Sequence, residues 1–180
     1  MGELYAKALI LAISAHNGQF RKISKDPFII HPVRVSELVL DWYVKFEDVE
    51  LLRVCAVLHD VLEDTWVDDS VLRNLFGERV LSIVEELSIE NSIRKSKRIC
   101  KDEYIESLKS ASIYAKLIKL ADIWDNVQDT KFVSGWKSYF EDSKCILEII
   151  DVEGSVFEAV FNEKKMALLK VVDDYLTKFA

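Results

Sequence analysis

A chain of 180 residues suits one compact domain and leaves no room for a second of comparable size. Half of its residues are hydrophobic and 31% are charged, the balance of a soluble globular protein, while two prolines and five glycines exclude collagen-like and low-complexity readings and disfavour a turn-rich all-β fold. The formal net charge of −7 argues against a surface devoted to nucleic acid or an anionic membrane, but it leaves room for a local basic pocket that holds a small anion.

Helical periodicity dominates the chain. Leu4, Ala8, Leu11, Ala12 and Ala15 share one face of a first helix that Gly18 can close. A loop follows to Ile30, carrying Arg21, Lys22, Lys25 and the turn-favouring Asp26-Pro27. Pro32 suits the first turn of a second helix with Val35, Leu38, Val39 and Trp42 at core spacing. Asp48 is a good N-cap for a third helix, which runs apolar nearly all round from Leu51 to Leu62 and should be the buried central one. Asp69 or Ser70 can cap a fourth helix that Gly77 ends, and Val80, Leu81, Ile83, Val84 and Leu87 mark a fifth. Ile89 to Cys100 is charged and poor in helical pattern, so it reads as a loop or frayed helix start. Further helices are expected near Asp102–Lys109, Ile113–Val127, Tyr139–Ile150 and Ser155–Phe179. No linker or repeat divides the chain. The expectation is an all-α, single compact multi-helix bundle over residues 1–180.

Cys55, Cys100 and Cys145 are odd in number and widely spaced, which fits neither a disulfide framework nor a zinc ribbon. Cys55 sits in an apolar run and reads as a small core residue in a reducing compartment. No stretch reaches the roughly 18 uninterrupted apolar residues of a membrane span. Ala8 to Ile13 is apolar enough for a signal-peptide core, but Glu3 spoils the basic flank. A cytoplasmic protein is expected.

The three histidines are His16, His31 and His59. His59-Asp60 lies within the most apolar helix, just before Val61-Leu62-Glu63-Asp64. On a regular helix, positions 59, 60, 63 and 64 fall within an arc of about 140°. Burying three carboxylates and an imidazole there is costly, and a divalent cation offsets that cost, taking the imidazole as a neutral ligand. A solvated polar strip is the ordinary alternative, but the helix has no other polar face between Val54 and Leu62. Asp122 and Asn126 interrupt a second apolar helix four residues apart. Asp122 can donate an oxygen to the same cation or pair with Lys119. His31, before Pro32, reads by itself as a capping or core histidine.

Together, His31, His59-Asp60 and Asp122 resemble the H…HD…D signature of the HD-domain metal-dependent phosphohydrolases. The resemblance extends to Ala15-His16-Asn17-Gly18-Gln19-Phe20-Arg21-Lys22, to Pro27-Phe28-Ile29-Ile30-His31-Pro32, and to His59-Asp60-Val61-Leu62-Glu63-Asp64-Thr65, which reads as a full HDxxEDT. Lys119-Leu120-Ala121-Asp122 with Asn126 completes the set. These stretches are similar to the guanosine tetraphosphate (ppGpp) hydrolase domain of RelA/SpoT enzymes, and the length fits the stand-alone small alarmone hydrolases, including the animal Mesh1 type. The resemblance implies metal ligands His31, His59, Asp60 and Asp122, with Mn²⁺ the usual ion. Ligand chemistry alone does not select manganese over iron or zinc. It implies that Glu63 and Asp64 orient and activate water, and that the 3′-pyrophosphate of ppGpp or pppGpp is hydrolysed to GDP or GTP and pyrophosphate.

Arg21 and Lys22 match family positions near the nucleotide, and Asn126 matches one that contacts the sugar or phosphate. The run Arg94 to Lys101 carries five cations in eight residues and can draw in a polyanionic nucleotide, with Lys97 and Lys101 as candidate phosphate contacts and a solvated surface run as the alternative. Asp125 stands where tyrosine or histidine is common and Gln128 where arginine is common; the segment between Asp129 and Tyr139 is also short. Those departures open a related nucleotide (ppApp, NADPH or a dNTP) as an alternative substrate, and a non-catalytic alarmone-binding module as a third reading. Trp136, Tyr139 and Phe140 are candidates for a pocket wall or for core. The expected partner is a small nucleotide, with no nucleic acid and no membrane; the oligomeric state stays open, a homodimer included.

Overall fold

The computed structural model describes residues 2–88 and 101–179. Among them the regular elements are helices: α1 (Glu3–Ala15), α2 (Ile30–Tyr43), α3 (Val49–Leu58), α4 (Val61–Asp64), α5 (Asp69–Phe76), α6 (Glu78–Leu87), α7 (Lys101–Ser110), α8 (Ile113–Thr130), α9 (Lys137–Ile149) and α10 (Glu158–Lys178). A single β-bridge between Phe20 and Pro27 pins the loop between α1 and α2. The expected segment Ile89 to Cys100, with Lys97, falls outside the described residues.

Two helices carry the core. Leu52 to Leu58 of α3 is buried at every position, and α3 packs on α1, α2, α6 and α8. Helix α8 packs on α2, α3, α6, α9 and α10 and buries Ala115, Leu117, Ile118, Leu120, Ala121, Ile123 and Val127. Most residues of both helices are buried, so the remaining helices must sheathe them. Ser112 starts α8 by accepting a hydrogen bond from the Ala115 amide. The cap of α5 is Asp68, one residue before the expected position; its carboxylate accepts from Val71 N at 3.0 Å. Gly77 ends α5 at φ 84°, a conformation that glycine adopts without steric cost.

Three expectations change. In α1, Leu4 is 41% exposed and Tyr5 takes the core position, its hydroxyl bonded to Ser36 Oγ at 2.6 Å. Asp48 precedes α3 without capping it by side chain, because its carboxylate is engaged by Tyr114 and Arg79. The third change bears on function. The helix read as continuous through Leu62 breaks at His59-Asp60. The Ala56 carbonyl accepts from the His59 ring Nδ1 at 2.7 Å, where a continuing helix would offer it the Asp60 amide. Asp60 then starts a new turn, its carbonyl accepting from Glu63 N at 3.2 Å and Asp64 N at 3.0 Å. The arc drawn on one regular helix therefore does not describe positions 59–64.

Leu58 is wholly buried at the last turn before this break. Leu58→Ala should cost about 2–5 kcal/mol in urea unfolding. A loss below about 1 kcal/mol would show that the α3 terminus is not tightly packed.

Candidate active site

Four side chains from three helical segments meet between α2, the α3–α4 break and α8. His31, in the first turn of α2, is 1% exposed and His59 is 4% exposed. His31 Nε2 lies 3.6 Å from Asp60 Oδ2 and 3.2 Å from Asp122 Oδ1. His59 Nε2 lies 3.1 Å from Asp60 Oδ1 and 3.7 Å from Asp122 Oδ1. Ligand atoms of His31, His59 and Asp60 lie within 4.8 Å of one another, close enough to share one ion.

The hydrogen bonds on the far side of each ring decide what these nitrogens offer. A carbonyl oxygen only accepts, so His59 Nδ1 donates to Ala56 O and a neutral ring presents a bare lone pair at Nε2. His31 Nδ1 lies 2.7 Å from the Asp125 carboxylate, so it too donates, and its Nε2 is likewise bare. Two lone pairs thus face two carboxylates. Among the described residues, His59 Nε2 has no hydrogen-bond partner. Acceptors turned on acceptors in a buried site need a cation between them, either protons on the imidazoles or a metal ion. Two imidazoles and two carboxylates suit a divalent transition metal, so the residues fit such an ion.

The titration of the cluster shows the same demand. Burial alone would lower the His59 imidazole, but the carboxylates of Asp60 and Asp122 outweigh it and hold its pKa well above the ordinary value. His31 behaves likewise: burial opposes the charge, while Asp122, Asp125 and Asp60 raise its pKa. Burial works against the Asp122 anion, yet Lys119 and the two imidazoles hold its pKa well below the carboxylate range.

Asp122 is the most heavily engaged member. Its Oδ2 accepts from Lys119 Nζ at 2.9 Å and its Oδ1 from Asn126 Nδ2 at 2.6 Å. The Lys119 pairing and the approach to the histidines, weighed as alternatives in the sequence, therefore both occur, one on each oxygen. Arg21 Nη2 donates to Asn126 Oδ1 at 2.8 Å and to Asp129 Oδ2 at 2.9 Å, which fixes the loop after α1 against α8. Gln19 adds a second tie. Its Nε2 donates to the Asp64 carbonyl at 2.7 Å and its Oε1 meets His16 Nδ1 at 2.8 Å.

His31, Asp60 and Asp122 line a cleft of about 370 Å³, and His59 is not among its lining residues. Arg21, Lys22, Glu63, Asp64 and Asn126 also line it, together with Phe20, Lys119, Asp129, Trp136 and Tyr139. Of the three aromatic candidates, Trp136 and Tyr139 are wall. Phe140 is core, wholly buried and stacked on Tyr175 with ring centroids 3.6 Å apart. Asp125 and Gln128 are absent from the lining. Asp125 turns to His31 and Arg34, and Gln128 is exposed and bonded to Lys131. Lys97 and the side chain of Lys101 lie outside the described residues.

A family model described as HD domain matches residues 8–134. The chain belongs to the HD-domain family. Its similarity to a protein of Drosophila melanogaster named guanosine-3′,5′-bis(diphosphate) 3′-pyrophosphohydrolase MESH1 is 35% identity over 135 residues, 73% of each chain. The Danio rerio protein of the same name is 33% identical over 138 residues, covering 72% of this chain and 74% of that one. Among solved structures, one described as a metazoan ortholog of SpoT that hydrolyzes ppGpp superposes with a TM-score of 0.75 at 27% identity, covering 99% of this chain and 96% of the other. Some relatives are far longer: the chain spans 19% of a Mycoplasma pneumoniae protein named probable guanosine-3′,5′-bis(diphosphate) 3′-pyrophosphohydrolase, at 29% identity over 142 residues. Among the described residues, no helix of this HD-domain protein is long and apolar enough to cross a membrane.

Two outcomes are expected at this site. Asp60→Ala should lower metal content sharply; a full complement of tightly held metal would contradict the assignment of Asp60 as a ligand. The second concerns pH. Because both imidazole pKa values are raised on folding, the stability they lend the metal-free protein is present below their unfolded value near 6.5. It is lost as pH rises through their folded values. A divalent ion replaces those protons, so the rise in Tm on adding metal should be larger at pH 8.5 than at pH 6. An equal rise at both, followed by circular dichroism, would contradict it.

Proposed function

We propose that this protein is a metal-dependent phosphohydrolase that removes the 3′-pyrophosphate of ppGpp or pppGpp, yielding pyrophosphate and GDP or GTP, with Mn²⁺ as its working ion in the cytoplasm. The observation that carries the reading is the convergence of His31, His59, Asp60 and Asp122 beside a cleft that His31, Asp60, Asp122, Glu63 and Asp64 line. The names of the animal relatives, matched over most of both chains, support the substrate class.

His31 Nε2, His59 Nε2, Asp60 and Asp122 Oδ1 would hold the ion. When bound, it would supply Lewis acidity toward a phosphoryl oxygen and make a coordinated water more acidic. The remaining tasks belong to the side chains. Glu63 and Asp64, one turn past Asp60, orient the attacking water and accept its proton. The Arg21 guanidinium pairs with phosphate or stacks on the base, and the Lys22 ammonium pairs with phosphate, both from the lining of the cleft. Asn126, held between Arg21 and Asp122, presents its amide toward the ribose side. Lys97 and Lys101 are further candidate phosphate contacts on the basic run of the sequence. The fixed loop and the apolar walls Phe20 and Trp136 restrict water around the reacting phosphorus.

A related adenine or nicotinamide nucleotide is the second reading, prompted in the sequence by Asp125 and Gln128. Neither residue lines the cleft, which supports keeping the guanosine substrate as the first reading.

With ppGpp and Mn²⁺, the purified protein should release pyrophosphate, and Glu63→Gln should keep its metal while losing about 10²-fold or more in rate. Orthophosphate or triphosphate in place of pyrophosphate would overturn the substrate assignment. No turnover above the Glu63→Gln background, with metal bound, would overturn the enzymatic reading.

A further inference from the structure

The two histidines are backed differently. His59 Nδ1 rests on a neutral backbone carbonyl, whereas His31 Nδ1 rests 2.7 Å from the Asp125 carboxylate. Asp125 is 5% exposed, four residues before Asp129 on the same face of α8 and outside the cleft. Its other partner is Arg34, one turn after His31 on α2. Arg34 Nε lies 2.7 Å from Asp125 Oδ1, and Arg34 Nη2 donates to Asp125 Oδ2 at 3.1 Å. Arg34 Nη2 also reaches both Asp129 oxygens at 3.2 Å, and Asp129 in turn pairs with Arg21. A carboxylate that only balanced Arg34 would have no need of a buried imidazole. Here one oxygen is shared between the guanidinium and the ring of a ligand histidine.

We infer that Asp125 is a positioning residue for the metal centre: its carboxylate, held in place by Arg34, accepts from His31 Nδ1, aims Nε2 at the ion and makes that nitrogen the stronger imidazole donor of the pair. This rests on the metal-centre reading above and adds a residue that touches neither ion nor substrate. A carboxylate behind a ligand imidazole orients the ring and raises its basicity, and removing such a partner typically weakens metal binding by about 10–100-fold. The guanidinium fixes the carboxylate from the other side: Arg34 Nε lies against Asp125 Oδ1 and Nη2 donates to Oδ2, so the carboxylate stays behind His31. The consequence is an asymmetric site, with one imidazole backed by an ion pair anchored in α2 and α8 and one backed by the α3 terminus.

The test measures Mn²⁺ dissociation constants for wild type, Asp125→Asn and Asp125→Ala, with circular dichroism for folding and ¹⁵N spectra of the imidazoles in Zn²⁺-loaded protein. Both variants should bind Mn²⁺ about 10–100-fold more weakly, Asn at the lower end because its amide oxygen still accepts the Nδ1 proton. The His31 ¹⁵N resonances should shift while those of His59 stay near their wild-type positions. Should Asp125→Ala fail to fold, the isosteric Asp125→Asn decides. A folded Asp125→Asn protein with Mn²⁺ affinity within twofold of wild type and unmoved His31 resonances would overturn the inference while leaving the metal centre standing. Wild-type protein that takes up no divalent ion would overturn both.

Discussion

Inside an apolar bundle, two imidazole lone pairs and two carboxylates are turned on one another. Nothing in the hydrophobic packing rewards that arrangement, and the Coulomb and desolvation terms oppose it unless positive charge enters. The backs of both rings are committed to acceptors, Ala56 O and Asp125, so the protein cannot relieve the conflict by rotating a proton to the front. The conflict is therefore built in, and it is a binding site for a cation. The raised imidazole pKa values and the depressed Asp122 pKa are the same fact seen through protons.

Each supporting element serves that constraint. Helix α3 is buried from Leu52 to Leu58, so its terminus is a rigid platform for His59, the proposed ligand that follows it. The break at His59-Asp60 swings Glu63 and Asp64 onto a separate short turn that lines the cleft. Helix α8 carries a charged series, Lys119, Asp122, Asp125 and Asp129, along a helix that otherwise buries Ala115, Leu117, Ile118, Leu120, Ala121, Ile123 and Val127. Lys119 balances Asp122 on the side away from the histidines. Arg34 and Arg21 balance Asp125 and Asp129, and Arg21 also brings the loop after α1 to the mouth of the cleft.

Much of this was legible in the sequence. The helices follow from apolar spacing, and His59-Asp60 with Glu63-Asp64 stood out because four polar residues interrupt an apolar run. The break within that run was not legible, since neither histidine nor aspartate is a helix breaker and the cause is a side-chain bond to the Ala56 carbonyl. Lys119 beside Asp122 was visible as a three-residue spacing, but spacing could not show that the carboxylate serves lysine and histidines with different oxygens. Asp125 was noticed only as a departure from a familiar pattern. Its partners lie 91 and 94 residues away on another helix, and only the packing of α2 on α8 reveals that it faces the back of His31. Arg34 gave no signal, being one charged residue on an amphipathic helix.

The most direct measurement is anomalous diffraction from crystals of the protein loaded with Mn²⁺. One peak is expected within bonding distance, about 2.0–2.2 Å, of His31 Nε2, His59 Nε2 and carboxylate oxygens of Asp60 and Asp122. A peak elsewhere, such as between Glu63 and Asp64 alone, or no ordered ion between the two imidazoles at saturating Mn²⁺, would contradict the account.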